Sequence, residues 1–369
     1  MTDGDALRRA VIANRDDDTP RLIYADWLDE NGQSDRASFI RAQVEGARAE
    51  PFSPEALEAE SRADRLLVRH LKKWTRHLDG SVFEEPGFHR GFIEHVGVKL
   101  KPGSITSLGA VFDIEPLRSL TIARAFDEEE PVDFLPVLEL HQLRQIHQLK
   151  IRAPEGFSHE EYTALLKSTN LHGIQKLSLQ GCALHHPLWI VEMMTSNAFP
   201  ELTGLDVADI TNVGPSLLQA FNKASHRELK SLDASRVHFN SEQLQQLFAC
   251  QCVCNLEELR LGFSGLPGQH GPLFELDIGW VLPWSHLVIL DLSGQLLGDD
   301  AVRAIACQEE ASSLRWLSLA DNHLGADAIR FFIKSTHLNL KYLDVSGNRF
   351  NSMAIAALKE RFPEALIVS

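Results

Sequence analysis

Three cysteines within five residues, Cys250-x-Cys252-x-Cys254, form the densest group of metal-ligating side chains in the sequence. Structural zinc sites space paired thiolates two to four residues apart and close with a second pair. One intervening residue is too few and no fourth ligand is evident, so packing is the expected role. Asp16-Asp17-Asp18 and Glu128-Glu129-Glu130 invite a cation. A calcium loop, however, alternates its ligands around a central glycine, and both runs read instead as solvated turns. His141, His147, His185, His186 and His238 are scattered along the chain, and no serine sits in a nucleophile elbow. A Walker loop and a dinucleotide fingerprint are both absent from the sequence. The expectation is a chain that is not an enzyme and uses no cofactor and no metal.

A different chemistry, recognition, is written at Trp316 and Tyr342. They occupy equivalent places in neighbouring copies of a repeated pattern, with Ile289 in the copy before. Asp291, Asp321 and Asp344 stand close to them in sequence. Exposed aromatics at adjacent positions are typical of protein-binding patches, and a strip of carboxylates favours a basic partner surface. Ile289, Asp291, Trp316, Asp321, Tyr342 and Asp344 are therefore the candidate partner-binding residues. The competing reading is that the two aromatics pack on each other or lie under a terminal cap.

The repeat that must position them is Leu-x-x-Leu-x-Leu. It appears as Leu117/Leu120/Ile122, Ile146/Leu149/Ile151, Ile174/Leu177/Leu179, Leu202/Leu205/Val207 and Leu229/Leu232/Ala234. It continues as Leu256/Leu259/Leu261, Leu287/Leu290/Leu292, Leu314/Leu317/Leu319 and Leu340/Leu343/Val345. The steps between copies are 29, 28, 28, 27, 27, 31, 27 and 26 residues, too even for chance. Leu-x-Leu alternation predicts a short strand with one buried face, which needs stacked neighbours to satisfy it. Asn322 and Asn348 follow their strands where a buried amide can bond the turning backbone, and Cys182 holds the same slot in its copy. Helical spacing follows at residues 299–307, 326–333 and 352–362. The sixth copy is the longest, and a bulged Gly- and Pro-bearing loop is expected at residues 262–272.

Strand, turn and helix in about 28 residues resemble the ribonuclease-inhibitor-like class of leucine-rich repeats over residues 117–362. That resemblance implies an α/β solenoid with strands on a concave side and helices on a convex side. Residues between the strand leucines would then face the concave side. Early copies put basic residues nearby (Arg118, Arg124, Lys150, Arg152, Lys176); later ones put Asp206, Asp209, Asp233, Asp291, Asp321 and Asp344 there.

Residues 1–50 do not repeat. Helices are expected at residues 5–14, from Thr19-Pro20 to Gly32 with Thr19 as N-cap, and from about Asp35. Asp26, Asp29 and Glu30 read as a solvated or capping face and Trp27 as core. The string PRLIYADWLDENG followed by RASFIRAQ, within residues 16–43, resembles the bacterial repeat-companion domain, a helical module that precedes repeats. A further helix is expected at residues 54–78, and an irregular strand at 92–100 that caps the array. Residues 366–368 would add a final strand. The expected organisation is a companion module at 1–50, a helical linker and cap at 51–116, and an array of about nine repeats at 117–369.

A net charge of −15 argues against nucleic acid and anionic membranes as partners. The first residues lack the basic start and apolar run of a secretory signal, and five cysteines are an odd number, so a reduced, cytoplasmic setting is expected. The functional expectation is a non-catalytic scaffold that binds a protein partner on the concave face. The alternative is a regulator of a partner enzyme, such as a GTPase-activating protein.

Overall fold

The computed structural model describes residues 2–51, 53–124, 133–186, 188–210, 213–224, 227–263 and 284–369. The Glu128-Glu129-Glu130 run and all but the first two residues of the loop expected at 262–272 lie outside them. The chain divides into two compact units, one comprising residues 1–152 and 159–174, the other residues 153–158 and 175–369.

The first unit opens with four helices: α1 (Asp3–Ala13), α2 (Thr19–Glu30), α3 (Ser34–Arg48) and α4 (Pro54–Trp74). Thr2 caps α1 through a reciprocal pair of bonds with Asp5. The start of α2 differs from expectation. Thr19 is not its side-chain cap; the Thr19 amide instead donates to Asp17 Oδ1 at 2.8 Å. A run of three aspartates supplies an acceptor two residues earlier, and Pro20 sits in the first turn, where its missing N–H costs nothing. Val11, Ala25, Leu28, Ala37, Ile40 and Val44 form the core of this bundle, with Trp27 partly buried against it.

The hairpin β1 (Phe83–His89) and β2 (Phe92–Leu100) follows, then α5 (Ser104–Phe112), β3 (Ser119–Arg124), α6 (Leu135–Leu138), β4 (Gln148–Arg152) and α7 (His159–Lys167). β1 pairs antiparallel with β2, whereas β2 pairs parallel with β3, and β3 with β4. The strand expected to be an irregular cap thus carries the change from antiparallel to parallel pairing.

The second unit repeats one pattern. Its strands are β5 (Lys176–Ser178), β6 (Gly204–Asp206), β7 (Ser231–Asp233), β8 (Glu258–Arg260), β9 (Ile289–Asp291), β10 (Trp316–Ser318), β11 (Tyr342–Asp344) and β12 (Leu366–Val368). They lie side by side in chain order, each parallel to the next. The helices α8 (Trp189–Thr195), α9 (Gly214–Lys223), α10 (Ser241–Ala249), α11 (Asp299–Ala306), α12 (Ala326–Lys334) and α13 (Ser352–Arg361) fall between strands. The central leucines Leu177, Leu205, Leu232, Leu259, Leu290, Leu317 and Leu343 are all at most 2% exposed. They align in register as one continuous row, which is what the repeat spacing requires. The fold is an α/β solenoid.

Two backbone devices recur at the turn. Three residues past the strand end stands a positive-φ residue: Gly181, Asp209, Arg236, Gly294, Asp321 or Gly347. The next residue is a buried or half-buried acceptor or filler. Asn322 accepts from the Gln295 and Leu297 amides at 3.0 and 2.9 Å and donates to the Leu292 and Leu319 carbonyls at 3.0 Å each. Asn348 accepts from Leu324 N at 3.0 Å and donates to the Leu319 and Val345 carbonyls. Cys182 is buried in the same slot.

Candidate functional site

In each strand of the second unit the residues on either side of the central one, a buried leucine in β5–β11 and Ile367 in β12, lie on the opposite face. Their register makes two rows. The first runs Lys176, Gly204, Ser231, Glu258, Ile289, Trp316, Tyr342, Leu366; the second runs Ser178, Asp206, Asp233, Arg260, Asp291, Ser318, Asp344, Val368. Of the six candidate residues, five stand in these rows: Ile289, Trp316 and Tyr342 in the first, Asp291 and Asp344 in the second. All five are half-buried.

Asp321 stands outside the rows, at an exposed turn position with φ of 52°. Left-handed backbone favours Gly, Asn and Asp, so its identity has a local cause. A methyl group on Gly347 would collide with the Asp321 carboxylate, which places that carboxylate over the next turn rather than over the strands.

The Trp316 and Tyr342 rings are parallel within 3°, with centroids 4.9 Å apart. That distance matches the spacing of neighbouring strands, about 4.8 Å. The rings therefore stand on edge from the sheet and stack as their strands do. The Arg260 guanidinium lies over Trp316, 5.0 Å from its ring centre, although a whole strand, β9, lies between theirs. Its Nε donates to Glu258 Oε1 at 2.8 Å. The result is a layered stack of Arg260, Trp316 and Tyr342 lying across Ile289. Arg260 was not among the sequence candidates. It lies 56 residues before Trp316, and only the strand register brings them together.

The aspartates of the second row have a structural duty that sequence reasoning missed. Asp206, Asp233, Asp291 and Asp344 each accept, through Oδ1, the backbone N–H two residues on, at 2.9–3.0 Å. These bonds end the strand and start the turn. The signal was legible as Asp-x-Ser or Asp-x-Ala in four copies. The second oxygen of Asp206 accepts from Ser178 Oγ at 2.6 Å. Burial, with Asp206 alongside, pushes the Asp233 carboxyl above its ordinary range. Burial and the facing Asp344 and Asp291 likewise raise the Tyr342 phenol.

The arginines of the early copies do not form an open patch. Arg118 is paired with Asp16, Arg124 with Glu161, and Arg152 with Glu84 and Glu85. Sequence reasoning placed them on a surface because their acidic partners lie 37 to 102 residues away. The Asp16-Asp17-Asp18 turn is likewise paired: Asp18 meets Arg48 and Arg90. Asp26 and Asp29 both bind Arg41.

Cys250 and Cys252 are buried and Cys254 is exposed, so the packing expectation holds for two of the three. Their thiols point to Asn222 Oδ1 and the Phe221 carbonyl, and burial pushes the Cys252 pKa up to about 12. Among the described residues no group of three His, Cys, Asp or Glu could hold a metal ion, and no helix is long and apolar enough to cross a membrane.

No protein-family model matches the chain, and no curated protein matches it. Among solved structures it is similar to an internalin from Listeria monocytogenes, at 14% identity and a TM-score of 0.36, over 68% of this chain and 58% of the internalin. It is also similar to a Bacteroides fragilis protein, at 14% identity and a TM-score of 0.41, over 81% of this chain and 86% of the other. This chain thus spans less than two thirds of the internalin. The assignment as an α/β solenoid rests on the strand order and repeat register described above.

Proposed function

We propose that this chain is a protein-interaction scaffold of the ribonuclease-inhibitor-like leucine-rich-repeat type. Its partner is a protein with a basic surface, held on the strand face of the second unit around Ile289, Asp291, Trp316, Tyr342 and Asp344. The observation that carries this reading is the Arg260–Trp316–Tyr342 stack set among carboxylates. From β6 to β11 the two rows hold five acids (Asp206, Asp233, Glu258, Asp291, Asp344) against one base, Arg260. Trp316 and Tyr342 offer rigid amphipathic area that costs little entropy to bury. The surrounding charge selects the sign of the partner and speeds its arrival. Asp321 contributes at most at the rim, given its turn position.

The test compares the immobilised full chain with Trp316→Ala and with the double variant Asp291→Lys, Asp344→Lys. A partner with a basic surface should be retained by the native protein, released as salt is raised, and lost with either variant. Retention that is equal in all three, or insensitive to salt, sinks the reading.

A further inference from the structure

Three polar residues of the N-terminal helices turn inward, where an ordinary bundle would place apolar side chains. Arg21 is inaccessible to water. Arg36 and Gln43 are half-buried. A buried guanidinium is costly unless paired and hydrogen-bonded, so their presence needs a cause. All three converge on the turn between β1 and β2.

That turn has two residues, Arg90 and Gly91, since His89 pairs with Phe92 across it. Both have positive φ, 46° and 88°. This is the signature of a type I′ hairpin turn. Gln43 treats it as a strand would: its Oε1 accepts from Gly91 N at 2.7 Å and its Nε2 donates to the Phe88 carbonyl at 3.3 Å. Arg36 donates to the Gly91 carbonyl at 2.6 Å. Its guanidinium lies 4.6 Å from the Trp74 ring centre and 5.2 Å from that of Phe88, and burial pushes its pKa down to about 10, so it stays charged at neutral pH. Arg21 donates to the Arg90 carbonyl at 3.3 Å and to Glu94 Oε1 at 2.6 Å.

The apolar flanks fit as well. Phe88 meets Phe39 edge-on, 5.5 Å between centroids. Phe92 enters the core with Val11, Ala25 and Leu28, beside Tyr24. Gly91 lies against Ile40 so closely that any side chain would collide with it.

We infer that helices α1–α4 form a binding site for a β-hairpin turn, in which Arg21, Arg36 and Gln43 read the backbone of the turn. The ligand class is a type I′ hairpin of the form Phe-x-x-Gly-Phe-x-Glu, here residues 88–94 of the same chain. The RLIYADWLDENG…RASFIRAQ string is the receptor half of this pair. The hairpin is an adaptor: one side is held by the helices, and β2 offers its other edge as the parallel template for β3. The helical module therefore holds the strand on which the parallel pairing of β3 and β4 begins, and its inward residues are occupied by its own chain.

The experiment is peptide-resolved hydrogen exchange on the full chain. Gln43→Leu keeps bulk and removes both bonds, while Gly91→Ala adds the collision. In Gln43→Leu, exchange in α2, α3, β1 and β2 should rise together, by roughly tenfold or more. Gly91→Ala should raise it further, with β6–β11 unchanged in both. If Gly91→Ala does not accumulate as folded protein, Gln43→Leu decides alone. Native protection of α2 and α3 in Gln43→Leu, or loosening confined to the hairpin in Gly91→Ala, overturns the proposal.

Discussion

Glu94 in the first unit and Asn322 in the second are both nearly sealed from water, at 5% and 3% exposure. Glu94 is surrounded by charge. Arg21 donates to it at 2.6 Å, His89 lies at 3.1 Å, and Arg90 and Arg118 stand farther off. Asn322 is surrounded by backbone, meeting amides and carbonyls from two successive turns. Even the buried guanidinium of the second unit, Arg227, faces carbonyls, those of Met194, Phe199 and Ser196. The difference follows from architecture. A unit built once can spend unique ion pairs to join unlike elements. A repeating unit meets the same orphan backbone groups every 27 residues or so, and it meets them with short local acceptors, a strand-end aspartate in four copies and the Asn322 or Asn348 amide in two, rather than with ion pairs between unlike elements.

Leu317→Asp should have the largest effect, because it places an unpaired charge at a site with 0% exposure. A loss of about 4 kcal/mol or more is expected, with exchange protection collapsing across β9–β11. A cooperative melt unchanged by this substitution would refute the stacked-leucine account.

Next comes Arg21→Met. It strands Glu94 among its remaining partners, and breaking a buried pair from one side typically costs about 3–5 kcal/mol. Thermal melts should show the loss, and hydrogen exchange should place it in the first unit. If Glu94→Gln alone costs as much, the carboxylate rather than the pair matters.

Asn322→Ala follows at about 2–4 kcal/mol, since it leaves the Gln295 and Leu297 amides without their acceptor. Asn322→Asp should be tolerated worse than its shape suggests, because the three carbonyls that receive Nδ2 would face an anion.

The smallest effect is in pH, and its sign should differ between the units. Desolvation pushes the Glu94 carboxyl up, but His89, Arg21 and Arg90 outweigh it and hold it below the ordinary range. A depressed carboxyl gives stability that is present above its unfolded pKa and lost as pH falls through the folded one. Asp233 is raised by burial and Asp206, so its ionisation weakens the fold as pH rises past the ordinary carboxylate range. Acidification from neutral to below about pH 4 should therefore loosen the first unit while relieving strain near β6–β7. Asp233→Asn keeps the acceptor for the Ser235 amide, and should slightly raise the melting temperature at neutral pH but not in acid. An equal shift at both pH values would remove the charge explanation.

The repeat is legible in the residues alone. Nine copies of Leu-x-x-Leu-x-Leu carry a period of two within each strand and one near 28 between strands, and only a stacked parallel sheet buries both. It also set Asn322 and Asn348, because a buried turn leaves the same backbone groups unpaired wherever it recurs. Trp316, Tyr342 and Ile289 were legible as neighbours for that reason: register follows from the repeat. Contacts that join distant residues without a period arise only in the folded chain. Nothing local ties Arg260 to Trp316, Arg21 to Glu94, or Arg152 to Glu84 and Glu85. Ion pairs and ring stacking act over a few ångströms in space and are indifferent to separation along the chain. The early arginines consequently read as an open basic surface until the strands bring their carboxylates to them. Asp321 and the strand-end aspartates likewise read as a single acidic strip until φ and the turn hydrogen bonds separated backbone duty from surface charge.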